Sequence, residues 1–410
     1  MTLWDFYATH RHPAILPLLR VSWRGLRIDV DKRQAAIGEY TAMEGLLAQE
    51  LHQLVGRPLD PHSPKQLMEY VYTEHHVKPV LRLRKGALER GYTPTLDEEA
   101  IEELMTREVP SGVRAVLQLI LQIRGTHKIL ATYLQAPLDS DNRLRCSYAL
   151  AGTETGRLSS RETPFRTGTN LQNVPTGIAR EMVVPDEGLV FVVADLSQAE
   201  ARVVAYLAKE SRLIDIFHQG GDIHRRNAAS IYRVAESAVT PEQRYLAKRV
   251  VHASNYGMGA NKFARVAGIT KGEATRLLTL YFTRYPRIKV WHLEVADTLR
   301  RTRTLTTPLG WRRQFFGAWS DDLLREAYSF VPQSTVADLL NDGLVAYEEE
   351  RPGEILLQVH DSILLQVRPA DVPIVRQTLT KHLVRPLDIG GQSCIIPIDV
   401  KTGPSWNGVH

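Results

Sequence analysis

Cysteine is nearly absent: Cys146 and Cys394 are the only two in 410 residues. A disulfide framework is therefore excluded as the source of stability, and a reducing cytoplasm is the simplest setting. No apolar run approaches the roughly 18 residues of a membrane span, so no membrane partner is expected. The N-terminal Met1-Thr2-Leu3-Trp4-Asp5 lacks the basic and apolar regions of a signal peptide. Internal repeats and low-complexity tracts are missing too. Nor is there a strong charge of one sign, with 51 Lys and Arg against 46 Asp and Glu. That excess suits a polyanionic partner without requiring one. What is present is a 43% hydrophobic content and length enough for two or three domains.

Residues 1 to about 135 read as mostly helical. Leu46, Leu47, Leu51 and Leu54 recur at helical spacing and predict a helix over Gly38–Val55. Ser63–Tyr72, Asp97–Met105 and Arg114–Tyr133 read as further helices. Leu81–Tyr92, with four Lys/Arg and two Gly, reads as an exposed basic loop, either simply solvated or gripping a nucleic-acid backbone. From about 140 the texture changes to short strands and Gly- and Thr-rich loops. A strand over Leu189–Ala194 runs into a helix from about Ser197. A helical block covers about 211–300, strands return near 304–316, and a helix covers 321–349. A strand–turn–strand follows at 354–368, and the last strand is Cys394–Val400. Strands bracketing an inserted helical block imply a discontinuous domain with that block as a separate lobe.

Two aspartates end apolar runs: Asp195 after Leu189–Ala194, and Asp361 after Ile355–Val359 and His360. An unpaired carboxylate is costly inside a strand. Two carboxylates brought together repel unless a dication sits between them. Metal-assisted phosphoryl transfer uses that arrangement, with two ions about 4 Å apart. Alone, Asp195 reads equally well as a helix cap and Asp361 as a turn residue. Ser197-x-x-Glu200 reads as a capping box. Between the aspartates, Arg244, Lys248, His252 and Tyr256 stand four residues apart. Thr240-Pro241-Glu242-Gln243 is a strong helix start. Four-residue steps advance about 6 Å and drift only about 40°. The four side chains therefore form one stripe, in the order of a nucleotide laid along the helix: cations for phosphates, an imidazole, then a ring for the base. Taken alone, the stripe is also an ordinary basic helix face. Gly257-Met258-Gly259 ends or loosens the helix.

Together these segments resemble the polymerase region of family A DNA polymerases, the bacterial DNA polymerase I type. The first family motif appears as Asp195-Leu196-Ser197-Gln198-Ala199-Glu200-Ala201-Arg202. The second appears as Arg244, Lys248, His252, Tyr256 and Gly257, and the third as Val359-His360-Asp361-Ser362. Collinear lesser matches include Thr155–Ser160, Asn170–Pro175, Asp222-Ile223-His224-Arg225, and Arg325 with Gln333. The resemblance covers about residues 15 to 410. It implies an α+β right-hand polymerase fold with an antiparallel-sheet palm, helical fingers and a helical thumb. The implied divisions are a lead-in over 1–20, thumb 21–135, palm 136–210 and 317–410, and fingers 211–316.

The implied activity is template-directed addition of dNTPs to a primer 3′-OH on primer–template DNA. Two Mg²⁺ ions, replaceable by Mn²⁺, would be held by Asp195, Asp361 and the Leu196 carbonyl, with Lys248 as a further catalytic residue. Gln198, Glu200, His224, Arg244, Lys248, His252 and Tyr256 would bind the dNTP, with Glu200 blocking a ribose 2′-OH and Tyr256 guarding the template-base position. Arg157, Asn173, Arg325, Ser329, Gln333 and His360 would line the DNA. The resemblance implies a cytoplasmic monomer. It does not specify a separate helicase, primase or exonuclease partner.

Several positions depart from the family pattern. His252 replaces an aromatic ring at the sugar-facing position, Leu196 a tyrosine, Ser362 a carboxylate, and Ser329 the usual Asn. His252 is expected to titrate between about pH 6 and 8, with Arg244 and Lys248 opposing its protonation. Fifteen to twenty residues precede the family's lead-in at Val21–Asp29, so no exonuclease domain is expected in this chain. It reads as a short phage- or plasmid-like polymerase or as an excised fragment. Two competing readings remain. A single-subunit RNA polymerase shares the palm and the basic helix, but Glu200 would exclude ribonucleotides. A catalytically dead primer–template binding protein would not need both aspartates.

Overall fold

A computed structural model of the chain describes residues 2–83, 91–150 and 152–409. The chain forms two compact units. One comprises Met1–Ile28, Pro137–Val174 and Val183–His410, and the other Asp29–Ala136 with Pro175–Met182. Seven helices position the residues of the site and of the smaller unit's core. They are α1 (Ile15–Arg24), α2 (Val30–Val55), α3 (Ser111–Lys128), α4 (Ala199–Leu207), α5 (Ile223–Tyr232), α6 (Pro241–Asn255) and α7 (Asp321–Glu350). Among the described residues, no helix is long and apolar enough to cross a membrane.

In the smaller unit, α2 and α3 pack over a core that includes Leu51, Leu67, Ile101, Leu117, Ile120 and Ile123. Helix α2 starts eight residues before the expected Gly38. Its signal there is a cap rather than a periodicity: the Asp29 side chain accepts the Lys32 N–H at 3.0 Å. Gly56, at φ 77°, ends it. The expected basic loop over 81–92 is a β-ladder at both ends, where Val80–Leu83 pairs with Tyr92–Thr95. The rest of that stretch, 84–90, lies outside the described residues. Residues 21–28, grouped with the thumb on sequence, lie in the larger unit, where Leu26 and Arg27 pair with Leu144 and Arg143.

The larger unit is built on an antiparallel sheet of β1 (Val190–Leu196), β2 (Ile355–Val359), β3 (Ser362–Val367) and β4 (Ile398–Gly403), in the order β2-β3-β1-β4. Strand residues alternate between faces. Val192, Ala194 and Leu196 of β1 are buried in the core with Ile363 and Leu365. The opposite face carries Asp195, with Ser362 and Asp399 as its cross-strand partners. Helix α7 packs against α1 and α4.

Three sequence expectations are corrected. Strand β1 runs two residues past Ala194, so Asp195 lies inside a paired strand rather than beyond its end. Helix α4 begins at Ala199, not near Ser197. The expected last strand, Cys394–Val400, is two elements. Gln392–Cys394 pairs with Leu387–Ile389, and β4 starts only at Ile398. Pro397, with no N–H to donate to a ladder, stands at the break.

One buried ion pair fixes the strand that leads to Asp361. Arg24, at the end of α1, is paired with Glu348 of α7 and donates to the Ile355 carbonyl of β2 at 2.6 Å. The Glu348 side chain has no solvent exposure. Breaking such a pair leaves an uncompensated buried charge, whereas replacing both partners does not. Arg24→Met should therefore destabilise the protein by about 3–5 kcal/mol, and Arg24→Met with Glu348→Leu should recover most of that loss. Chemical unfolding of the single and double variants checks this. A double variant as unstable as the single one would contradict it.

Candidate active site

The site begins with one hydrogen bond. The Leu196 N–H of β1 donates to the Asp361 carbonyl at 3.0 Å, which fastens the β2–β3 turn against the end of β1. That turn is His360-Asp361, with His360 at φ 54°. Its position is locked from below. The Tyr148 hydroxyl donates to the Gln358 carbonyl at 3.0 Å and accepts the Gln358 N–H at 2.9 Å. The Gln172 side-chain amide donates to the Gln358 side-chain oxygen at 2.6 Å, and the Gln358 amide donates to the His360 carbonyl at 2.8 Å. Gln172 and Gln358 lie in or beside the quoted motif segments but were given no role on sequence, and Tyr148 was not noted. No spacing motif links them, and only the fold brings them to one turn.

Asp195 thus stands between β3 and β4, beside the turn that carries Asp361. Its pKa is pushed up to about 7, first by burial and then by the charges of Asp361 and Asp399, with Lys248 and Lys401 opposing. Asp399 is a further carboxylate that sequence reasoning missed. The alternation Ile398-Asp399-Val400-Lys401 was the available signal, since it marks a strand with a polar face. Carboxylate oxygens are hard donors and suit Mg²⁺ or Mn²⁺ rather than a softer metal. The residues present therefore fit the two-aspartate metal site expected from sequence.

Helix α6 forms as its start signal predicts. The Gln243 N–H donates to the Thr240 hydroxyl at 3.3 Å, and the Gln243 side chain accepts the Thr240 N–H at 3.1 Å. The helix stops at Asn255. Tyr256 is its cap, and Gly257 turns the chain at φ 67°, where a Cβ would lie 2.9 Å from the Tyr328 ring. The stripe is present: the His252 and Tyr256 ring centroids are 6.1 Å apart. Lys248 is exposed. Arg244 is engaged, with its Nε 2.6 Å from Asp222 Oδ2. The other Asp222 oxygen caps α5, accepting the His224 N–H at 2.9 Å and the Arg225 N–H at 3.2 Å.

Burial pushes both imidazoles near the stripe toward the neutral form. His224 is buried, and its ring lies nearly parallel to that of His252 with 6.4 Å between centroids. Burial, helped by Arg244, His252 and Lys248 and opposed by Asp222, brings its pKa down to about 3. His224 can therefore meet a phosphate as a hydrogen-bond donor, not as a cation. His252 is also held below its ordinary value near 6.5, chiefly by burial and then by Lys248. The shift is downward, in the direction expected from the neighbouring cation Lys248, because burial and Lys248 outweigh the attraction of Asp361.

Glu200 is corrected as well. The capping box with Ser197 does not form. Gln198 is the N-cap of α4, at φ 52° and with no side-chain cap bond. The Glu200 carboxylate instead pairs with Arg157 and accepts the Tyr256 hydroxyl. Burial raises its pKa against the lowering effect of Arg157. Arg157, expected along the DNA, is therefore committed to Glu200. Gln198 ties α5 to this corner, its Oε1 accepting the Ile223 N–H at 2.9 Å.

The remaining expected DNA residues are carried by three elements. Arg325, Ser329 and Gln333 stand at four-residue spacing on α7 and so share a face. Arg325 pairs with Asp322, the Ser329 hydroxyl donates to the Glu326 carbonyl at 3.1 Å, and Gln333 is half-buried. His360 is exposed at the hairpin turn, and Asn173 is exposed at the end of a short helical turn, Leu171–Asn173.

Residues 33–408 match the sequence pattern of DNA polymerase family A. The chain belongs to this family. It is 30% identical over 429 residues to the thermostable DNA polymerase I of Thermus filiformis, covering 98% of this chain and 48% of that protein. It is 29% identical to DNA polymerase I of Caldicellulosiruptor bescii, covering 98% of this chain and 47% of that protein. The chain spans about half the length of these curated relatives. Among solved structures, the POL domain of Pol1 from M. smegmatis, in complex with DNA primer-template and dNTP, is similar with a TM-score of 0.82 and 27% identity, over 96% of this chain and 70% of that one. The family A chain has the α+β, right-hand fold class expected from its motifs.

The raised Asp195 value has a consequence for stability. Its folded pKa, about 7, lies above the unfolded value near 3.9, so the folded state binds more protons between these limits. This contribution is favourable at low pH and is lost as pH rises through 7. In metal-free buffer, Asp195→Asn should therefore stabilise the protein at pH 8, by about 2 kcal/mol after allowance for solvent screening, and have little effect near pH 4. Thermal unfolding in chelator at both pH values checks it. An equal effect at the two would refute it.

Proposed function

We propose that this protein is a template-directed DNA polymerase, which adds dNTPs to the 3′-OH of a primer. The primer 3′-OH gives up its proton to solvent as its oxygen attacks the α-phosphorus of the dNTP, the bond to the two outer phosphates breaks, and pyrophosphate leaves. The observation that carries this reading is the Leu196 N–H to Asp361 carbonyl bond. It joins two carboxylate-bearing segments in a site where Lys248 also acts on Asp195. Family membership and the relatives named above support it. Asp195, Asp361 and the Leu196 carbonyl would hold two Mg²⁺ ions, which when bound would lower the charge of the reacting phosphate and of the attacking and leaving oxygens.

The chain's own residues have distinct tasks in this scheme. Lys248 meets the departing phosphates, and Arg244 joins it by exchanging Asp222 for phosphate oxygens. His224 donates a neutral hydrogen bond to the same group. The His252 ring lies against the sugar. Glu200, clamped by Arg157 and Tyr256, occupies the sugar edge where a 2′-OH would fall. Tyr256 stands at the template-base position. Asn173, Arg325, Ser329, Gln333 and His360 contact primer–template DNA, and Arg157 does so only on release from Glu200. In this reading residues 136–210 and 317–410 are the palm, 211–316 the fingers, and the unit that begins at Asp29 the thumb.

Extension of a labelled primer with Mg²⁺ and dNTPs is the direct test. Asp195→Asn and Asp361→Asn should each lower turnover by at least about a thousandfold, about 4 kcal/mol of barrier, and leave DNA binding within severalfold of wild type. Retention of a tenth of the activity by either variant would remove that residue from the reaction.

Glu200→Ala should admit ribonucleotides, improving rNTP relative to dNTP use by about ten- to a hundredfold, or about 1.4–2.7 kcal/mol. It should also weaken dNTP use, because Tyr256 and Arg157 lose their common anchor. Single-nucleotide incorporation kinetics measure both. Unchanged sugar discrimination would leave Glu200 as a structural link alone.

A further inference from the structure

The smaller unit holds a cluster that the polymerase reading does not use. Glu44 of α2, His62 of the loop that follows α2, and His127 of α3 each offer one donor atom, and all three atoms lie within 4.8 Å of one another. His127 Nδ1 is 2.7 Å from Glu44 Oε1. The His62 and His127 ring centroids are 4.5 Å apart, with 53° between the planes.

These three residues are held in place by bonds outside the cluster. Arg124, one turn before His127 on α3, donates from Nε to the Pro61 carbonyl at 2.8 Å and from Nη1 to the Leu96 carbonyl at 3.0 Å. The residue before His62 is thereby fastened to the helix that carries His127. The His62 N–H donates to Asp60 Oδ1 at 2.8 Å, and the Asp60 N–H donates to Gln66 Oε1 at 3.0 Å, so the loop has a fixed shape of its own. On the other side, buried Thr126, beside His127, meets the sulfur of Met43, beside Glu44, at 3.9 Å. The shared core beneath α2 and α3 sets the spacing of those two helices. Much of the ordering cost of a three-donor site has therefore already been met by folding.

Two imidazoles and one carboxylate form the donor set of a late first-row dication and a poor set for Mg²⁺. Three protein donors leave a fourth position for water. We propose that Glu44, His62 and His127 bind one Zn²⁺ ion, which braces α2, the loop after it and α3. Binding replaces the hydrogen bond between His127 and Glu44, with the imidazole hydrogen passing from Nδ1 to Nε2, and draws the donors to about 2.0–2.2 Å from the metal. The side chains of Glu44 and His127 are 26% and 48% exposed, which gives the ion a route in and the donors room to contract. The site shares no residue with the proposed polymerase centre.

The test uses the full chain, free of any affinity tag and stripped of metal with chelator. Zn²⁺ is titrated in millimolar Mg²⁺, which occupies the carboxylates around Asp195 and leaves imidazoles free. Wild type should bind one Zn²⁺ equivalent that raises its Tm. His62→Ala and His127→Ala should each weaken that equivalent by more than about tenfold and abolish the rise in Tm, with far-UV CD unchanged. His62→Gln, which keeps the loop polar, should behave as His62→Ala. Co²⁺ in place of Zn²⁺ should give visible d–d absorption in wild type that both His variants lose. Absence of a Zn²⁺ equivalent in Mg²⁺, or wild-type affinity in the His62 and His127 variants, would overturn the proposal.

Discussion

The bond between the Leu196 N–H and the Asp361 carbonyl is an ordinary ladder contact in length, yet it sets the terms for everything around it. It closes the end of β1 against the β2–β3 turn and forces the Asp195 and Asp361 segments together. The result is an electrostatic debt that the sheet alone cannot discharge: burial and two carboxylate neighbours hold the pKa of Asp195 near 7. The bracing of Gln358 by Tyr148 and Gln172 makes sense in this light, because a turn under repulsion stays in place only if its backbone is fixed independently. Arg24 serves the same end from the other side, holding Ile355 at the start of the strand that delivers the turn.

The cationic side of the site is tuned by burial as much as by charge. Arg244 and Lys248 are the cationic residues at the N-terminal end of the stripe, whereas burial holds the pKa values of His224 and His252 below the ordinary imidazole value. A row that reads as four positive or polar groups is thus two cations followed by two rings. Such a division suits a ligand that is anionic at one end and flat at the other. Asp222 links the two kinds of group, since one oxygen holds Arg244 while the other caps the helix that bears His224.

Glu200 illustrates how a sound local motif loses to tertiary contacts. Ser197-x-x-Glu200 has the spacing of a capping box, and such a box satisfies free N–H groups at modest gain. Here Gln198 takes the cap position in a left-handed conformation, and the carboxylate turns to Arg157 and Tyr256. A buried carboxylate gains more from a guanidinium and a phenol than from one backbone donor. Neither partner is near Glu200 in the chain, so no reading of the local pattern could weigh them.

Features under short-range control were legible in the amino-acid order. Helix α6 follows from Thr240, Pro241 and Gln243, whose capping bonds span three residues. The turn at His360-Asp361 follows from the two short apolar runs that flank it and read as the arms of a hairpin. The motif order also made the family legible. Tertiary structure alone decided which charges meet. Asp399 faces Asp195 only because β4 pairs with β1 in one register, and a shift of one residue would turn it to the other face. The capture of Arg157 by Glu200 and the meeting of Glu44, His62 and His127 have the same origin. Each depends on strand register or helix packing between residues far apart in sequence, where no local preference acts.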